Sequence, residues 1–235
     1  MAAYHHGNLR NTLSDAGIAL INREGEKGFS LRRVCALCGV SQAAPYSHFA
    51  SKEDLLEAMK VHVIDAFTGS LANAAAAVAD QNDPRVLIEM GKAYVLFFLH
   101  RLEYFTFLFS QARFVVNLSF NASSENSFPP FELMKGHMRR ILAGIPAERL
   151  EDMIIAMWAT VHGLASIATM KNVRYDKDWE SKIEDIIWNK ERDENNEKKG
   201  GARGVDRAGG IGERLAGANG SAAAGELGAD KAVFG

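Results

Sequence analysis

Residues 29–49 read FSLRRVCALCGVSQAAPYSHF, and the organisation of the whole chain follows from how this stretch folds. Ser30 stands where an N-cap is needed, since its hydroxyl can accept one of the backbone N–H groups that a helix start leaves over. Val34, Cys35 and Cys38 then recur at helical spacing as an inward face. Gly39 closes this short helix, because a left-handed residue there meets no side-chain clash. Val40 plugs the turn, and Ser41 is placed to cap a second short helix through about Phe49. Two short helices about a glycine turn form a helix-turn-helix, the arrangement that can offer the first residues of its second helix to the major groove of DNA.

The side chains on that second segment suit the role. The Gln42 amide both donates and accepts, matching the N6 and N7 edge of adenine, while Ala43 and Ala44 permit close approach and can meet a thymine methyl. Tyr46, Ser47, His48 and Lys52 supply hydroxyl, imidazole and ammonium groups that fit phosphates, which position a protein on DNA without specifying sequence. Core packing is the plainer alternative for Tyr46 and Phe49; Phe49 is read as core, and Tyr46 as both supported by the core and facing phosphate.

Outward from this centre the chain reads as helices. Leu9, Leu13, Ala16 and Leu20 form a stripe on a first helix capped by Asn8 and ending near Gly25 to Gly28. Ser51 and Asp54 have capping-box spacing before a helix that continues to about Ala79, roughly 29 residues or about 43 Å, with Gly69 as a weak point. Asp83 and Pro84 open the next, which carries Leu87, Met90, Tyr94, Phe97 and Phe98; Leu102, Phe105, Leu108 and Phe109 continue with another apolar face. Gln111 to Ser127 lacks a period and reads as a loop. Pro129 and Pro130 start a helix closed by Gly144. Pro146 starts another that is apolar on nearly every side to about Lys171, and Trp179, Ile183, Ile186 and Ile187 make a last amphipathic helix after Asp176 or Asp178. From Gly200 the sequence is rich in glycine without apolar periodicity, so a disordered tail is expected.

Composition limits the functional classes. A hydrophobic fraction of 47% supports a substantial core, and a formal net charge of -2 argues against a globally basic nucleic-acid coat protein. Residues 1 to 60 hold nearly balanced charges, so the spacing and not the electrostatics carries the DNA-binding reading. No secretory leader pattern is seen, and the longest uninterrupted apolar runs, Ala93 to Leu99 and Met153 to Ala159, fall short of the roughly 20 residues of a membrane span. The expected location is therefore the cytoplasm. Cys35 and Cys38 form a Cys-x-x-Cys pair, but a structural zinc site would need two further ligands that the neighbouring sequence does not offer, and core packing is the favoured reading. His5 and His6 read as polar residues of an N-terminal arm that can graze DNA. No phosphate-binding loop, metal-ligand helix, nucleophile elbow or carboxylate cluster points to an enzyme, and no cofactor or metal is called for. An interaction protein that has lost DNA binding remains the alternative.

These residues resemble the TetR family. The likeness rests on Tyr4-His5-His6-Gly7-Asn8-Leu9, the Gly39-Val40-Ser41 turn, and Ala44-Pro45-Tyr46 leading to His48-Phe49 and Ser51-Lys52, and it is strong from Tyr4 to Leu56. A weaker match, Trp158-Ala159-Thr160-Val161-His162-Gly163, is similar to the Trp-His-Gly signature of one C-terminal subgroup and extends the likeness to about residue 195. The resemblance implies an all-α protein: a helix-turn-helix DNA-binding domain over 1–50 and a helical ligand-binding and dimerisation domain over 51–195 with 51–79 as its connecting helix, while composition sets apart a disordered Gly/Ala-rich tail over 196–235. It implies a homodimer that binds a double-stranded operator and releases it when a small molecule enters the C-terminal core. Arg32 and Gln42 then become base-reading candidates, with Ser30, Tyr46, His48 and Lys52 on the backbone. Arg33 departs from the family pattern, standing where an acidic residue is common, as do Ala36 and Leu37, which replace polar residues; these changes bear on the operator sequence and not on the fold.

For the effector site the sequence nominates Phe97, Phe98, Phe105, Met134, Met138, Met157, Trp158 and His162. Trp158 and His162 lie four apart and share a helix face, and the aromatic and methionine content favours an apolar ligand. Filling of the core by the same residues is an equal alternative. For the dimer interface the candidates are Val161, Leu164, Ala168, Trp179, Ile183 and Ile187 on the last two helices.

Overall fold

The computed structural model describes residues 9–110, 114–122, 125 and 127–188. The expected N-terminal arm, the Asn8 cap and the 196–235 tail lie outside these residues. Among the described residues the regular structure is helical throughout apart from one isolated bridge between Val115 and Ser127. The eight α-helices are α1 (Leu9–Glu24), α2 (Leu31–Cys38), α3 (Lys52–Ala76), α4 (Arg85–Leu99), α5 (Leu102–Ser110), α6 (Pro129–Ile141), α7 (Ala147–Thr169) and α8 (Trp179–Trp188), with short 3₁₀ turns at Glu26–Gly28 and Ala44–Ser47. They divide into two compact units, Met1–Gly69 with Phe98–Arg113 and Ser70–Phe97 with Phe114–Gly235.

In the first unit α1 buries Leu9, Leu13 and Leu20 along the expected stripe, together with Ile18 and Ile21. Gly25 ends the helix with φ 71°, its N–H donating to the Ile21 carbonyl at 2.7 Å. Gly17 lets α1 lie close to α3, since a Cβ there would stand 2.7 Å from the Met59 sulfur. Leu55, Met59, Val63 and Phe67 of α3 and Phe107 and Leu108 of α5 complete this core. Each such side chain removed from water contributes about 1.5 to 3 kcal/mol.

α3 starts as the Ser51 and Asp54 spacing predicts: Ser51 Oγ accepts the Asp54 N–H at 3.1 Å, and Asp54 Oδ2 reaches back to the Ala50 N–H at 3.0 Å. Gly69 does not interrupt it. The helix ends at Ala76, a little before the expected Ala79, because the Gln81 amide takes the Ala75 and Val78 carbonyls at 2.8 and 2.7 Å. Those oxygens are then lost to further helical turns.

In the second unit Asp83 Oδ1 caps α4 through the Arg85 N–H at 2.8 Å, and Asp178 Oδ2 caps α8 through Ser181 at the same distance. Gly91 brings α4, α7 and α8 together: a Cβ there would meet Val161 Cγ1 at 3.3 Å and Ile187 Cδ1 at 3.5 Å. Lys135 of α6 is wholly buried, yet it donates to the Asn117 and Ser119 carbonyls and to Glu132, at 3.1, 2.8 and 3.0 Å. These bonds fasten the segment 114–122 to α6. α7 is 23 residues long and by length and composition alone could cross a membrane, although Glu148, Glu151 and Asp152 break its apolar run near the start. Its buried residues, Leu150, Met153, Ile154, Met157, Val161 and Ala165, follow helical spacing on one side.

Candidate nucleic-acid interface

The local geometry around Gly39 begins with α2. Ser30, extended at φ -154°, accepts the Arg33 N–H on its hydroxyl at 3.4 Å. At the other end Gly39 is left-handed at φ 65°, which directs its own N–H to the carbonyls of Cys35 and Ala36 and lets the Val40 N–H reach Cys35 at 3.1 Å. Val34 and Cys35 are buried, while Cys38 is half-buried with its thiol directed at the Thr12 carbonyl, 3.7 Å away. Burial pushes both thiols up from the ordinary cysteine range, so neither is predisposed to form a thiolate.

After the turn, the second segment is tighter than the expected α-helix from Ser41 to Phe49. Residues 42–43 form a turn, Ala44–Ser47 is 3₁₀, and Ala43 occupies the cap position without a side-chain bond. Pro45 accounts for this: it has no N–H to donate and disfavours the α conformation in the residue before it. Pro45 is itself buried, and its carbonyl accepts the N–H groups of His48 and Phe49, each at 2.8 Å. The segment is thus clamped at Gly39 and Pro45 and seated by Phe49, which is 3% exposed.

What this segment offers to solvent is polar. Gln42, Ala43, Tyr46, Ser47 and His48 are exposed, with Tyr46 at 62%, and Ala44 is half-buried. Arg32 is also exposed and makes no ion pair among the described residues. Ser47 Oγ donates to the Ala44 carbonyl at 2.8 Å. Lys52 sits lower, its ammonium 5.6 Å from the Phe29 ring centroid and 3.4 Å from the Glu26 carbonyl, so it would have to leave these partners to reach a phosphate. Ser30 is half-buried and occupied as a cap. Arg33, which the family pattern leaves without a role, reaches back to the end of α1: it donates to both carboxylate oxygens of Glu24, Nη2 to Oε1 at 2.6 Å, and to the Gly28 carbonyl at 2.9 Å. The contacts tie the start of α2 to the end of α1.

The residues nominated for an effector fall into two groups. In the first unit Phe98 and Phe105 meet edge to face at 5.3 Å, with Phe67 and Phe109 beside them. In the second unit Phe97, Met134, Met138 and Met157 are buried, and Trp158 lies edge-on between Phe131 at 5.5 Å and His162 at 5.9 Å. The sequence reading left Tyr94 out of this set: its hydroxyl is 2.9 Å from His162 Nδ1. Only the shared apolar spacing of α4 pointed to it. Burial pushes the Tyr94 hydroxyl far up from the ordinary phenol range and holds the His162 imidazole below its usual value.

Of the interface candidates, Val161, Ile183 and Ile187 are buried within their own chain, whereas Leu164, Ala168 and Trp179 are half-exposed. Ile155, Ala159 and Ile167 of α7, Met170 just past it, and Ile186 of α8 are exposed.

A capped helix, a left-handed glycine turn and a polar segment seated on a helical core form a helix-turn-helix, the arrangement that can present its second segment to DNA. Residues 13–59 match the family model described as bacterial regulatory proteins, tetR family. Solved structures share the all-helical fold over most of the chain. A TetR-family transcriptional regulator from Haemophilus influenzae RD is 21% identical with a TM-score of 0.55, covering 76% of this chain and 93% of that one. A TetR-like transcriptional regulator from Rhodococcus sp. RHA1 is 15% identical with a TM-score of 0.53, over 81% and 99%. A protein of unknown function from the same organism is 23% identical, also at 0.53, over 78% and 93%. No curated protein matches the sequence.

Proposed function

We propose that the chain is a homodimeric cytoplasmic repressor without enzymatic activity that binds a near-palindromic operator and leaves it when a small, largely apolar ligand binds the C-terminal domain. The observation that carries the reading is the exposed set Gln42, Tyr46, Ser47 and His48 on a segment fixed at both ends by Gly39 and Pro45. In this reading 1–50 is the DNA-binding domain, 51–195 the regulatory and dimerisation domain with 51–79 as connecting helix, and 196–235 a tail. Arg32, Gln42, Ala43 and Ala44 face bases, and Ser30, Tyr46, Ser47, His48 and Lys52 serve the backbone. Two subunits would read half-sites about 34 Å apart or at a wider multiple of the helical repeat.

Dimerisation is assigned to α7 and α8. Ile155, Ala159, Gly163 and Ile167 recur every four residues along α7, with small residues at the middle where a second helix can approach closely. Leu164, Ala168, Trp179 and Ile186 extend the surface, and Val161, Ile183 and Ile187 back it from inside the chain. The effector site is assigned to Phe97, Met134, Met138, Met157, Trp158 and His162 of the second unit, and Phe98 and Phe105 of the first unit are separate ligand-binding candidates. A ligand that binds better to a conformation with mismatched recognition segments shifts the population away from DNA.

Mobility shifts with genomic fragments test the reading. The unmodified chain should retain a discrete set of fragments, and Gln42→Ala and Tyr46→Ala should lose it. If both variants bind every fragment as the unmodified chain does, the recognition segment is misassigned.

A further inference from the structure

The first turn of α1 carries a cation into the same cleft as the recognition segment. Arg10 places its guanidinium carbon 5.7 Å from the centroid of the Phe49 ring, and the His48 imidazole lies 6.2 Å from that ring. Phe49 belongs to the core, so its ring is a fixed support and not a mobile surface group. Arg10, His48 and Phe49 line an open cleft of about 290 Å³ together with Asp54, Glu57, Ala58 and Val61.

Two acidic side chains share the cleft, and both have partners. Asp54 accepts the Ala50 N–H at 3.0 Å, and Glu57 pairs with Lys60 at 2.6 Å. Arg10 and His48, by contrast, are exposed and make no ion pair among the described residues. Stacking on an aromatic ring orients a guanidinium while leaving its N–H donors unused. A planar fork of donors held in this way matches the oxygens of a phosphate.

We propose that Arg10 is a DNA-backbone contact, its guanidinium steadied on Phe49 and taking a phosphate on the His48 side of the recognition segment. The assignment rests on the reading of the chain as a DNA-binding regulator and adds a grip that the sequence analysis did not nominate. A backbone contact carries no base information. Its loss therefore weakens all duplexes alike and removes counterion release, whereas loss of a base contact alters selectivity.

The test is equilibrium binding of the full chain to two probes, the genomic fragment it retains best and a mixed-sequence duplex of about 30 base pairs, between about 50 and 200 mM salt. Arg10→Ala is expected to weaken both probes by a similar factor, roughly 5- to 20-fold, and to reduce the slope of log affinity against log salt by about one per subunit. Arg10→Lys should keep the slope, and Gln42→Ala should keep it while losing preference for the genomic fragment. If Arg10→Ala melts early, Arg10→Gln reads the same slope with the stem retained. An unchanged slope and affinity in the alanine or glutamine variant, beside a clear loss in Tyr46→Ala, overturns the Arg10 contact and leaves DNA binding standing. A full chain that binds neither probe overturns both.

Discussion

The Arg33 guanidinium closes on the Glu24 carboxylate, Nη2 donating to Oε1 at 2.6 Å, and so ties the start of α2 to the end of α1. Hydrogen bonds from Arg33 and then Arg23 hold the Glu24 carboxyl below the ordinary carboxylate range. A carboxylate depressed in this way adds stability above the pKa it has when unfolded, and the gain is lost as pH falls through the lower folded value. Arg33→Ala should therefore lower the melting temperature at pH 7, with the difference from the unmodified chain shrinking below about pH 4. Both groups face solvent, so added salt should shrink it too. Exchanging the charges, Glu24→Arg with Arg33→Glu, should recover part of the loss; calorimetry across pH and salt checks each point.

Gly39 is the backbone condition for the recognition turn. At φ 65° an alanine meets strain of about 1 to 2 kcal/mol, although nothing crowds the added carbon itself. Gly39→Ala should lower stability by that amount and weaken DNA binding further, because relief of the strain moves Gln42 and Tyr46. Gly39→Asn should be milder, since asparagine tolerates the left-handed region better. Denaturant titration alongside duplex binding separates the two effects.

Much of this arrangement was legible because its signals are local. The caps at Ser30, Ser51, Asp83 and Asp178 and the stops at Gly25 and Gly39 are single-residue effects, and each acts where the sequence places it. The 3₁₀ form of Ala44–Ser47 had a local signal as well, in Pro45, but helical periodicity concealed it. The remainder depends on partners remote in sequence. Arg33 reaching Glu24, Tyr94 reaching His162, and Gln81 stopping α3 involve side chains that periodicity does not connect. α7, apolar on nearly every side, gives no sign of which face is inside; Gly91 settles it by admitting Val161 and Ile187.

Lys135 is buried without exposed area and satisfied by two carbonyls and Glu132, whose Oε1 also accepts the Ser127 hydroxyl at 2.9 Å. Lys135→Met keeps the stem but takes the ammonium from the two carbonyls and the counter-charge from the Glu132 carboxylate, at a cost of about 2 to 4 kcal/mol. The double variant Lys135→Met with Glu132→Gln should lose less than the two single losses combined, since the stranded carboxylate is gone. Urea unfolding of the four proteins closes the cycle.

His162 titrates against its own burial. Because desolvation lowers its folded pKa, the unfolded chain binds the proton more readily, and stability must fall as pH drops from about 7 through the lowered value. His137, lowered by burial and by Arg140, acts in the same direction. His162→Gln should flatten the melting profile between about pH 7 and pH 5 without abolishing the slope. Tyr94→Phe removes the hydroxyl beside Nδ1 and should cost about 1 kcal/mol near neutral pH.

The end of α3 depends on one side chain used twice. Gln81 Nε2 donates to the Ala75 and Val78 carbonyls, while its own backbone carbonyl accepts from Arg140 Nε at 3.2 Å. Arg140, on α6, is in turn 2.7 Å from His137 Nδ1 one turn earlier on the same helix. Gln81→Ala removes two bonds to helix-terminal oxygens, worth about 1 to 2 kcal/mol together. The loss should be confined to the last turn, where the Ala77 and Val78 amides bond back to Asn73 and Ala75. Hydrogen exchange should accelerate at those two amides and leave the amides of Met59 and Val63 unchanged. Arg140→Ala should give a weaker version of the same pattern, since it releases Gln81 without removing it. Acceleration spread evenly along α3 would instead mean that the cap stabilises the whole helix, and the Gln81 bonds would then set its global stability rather than its end.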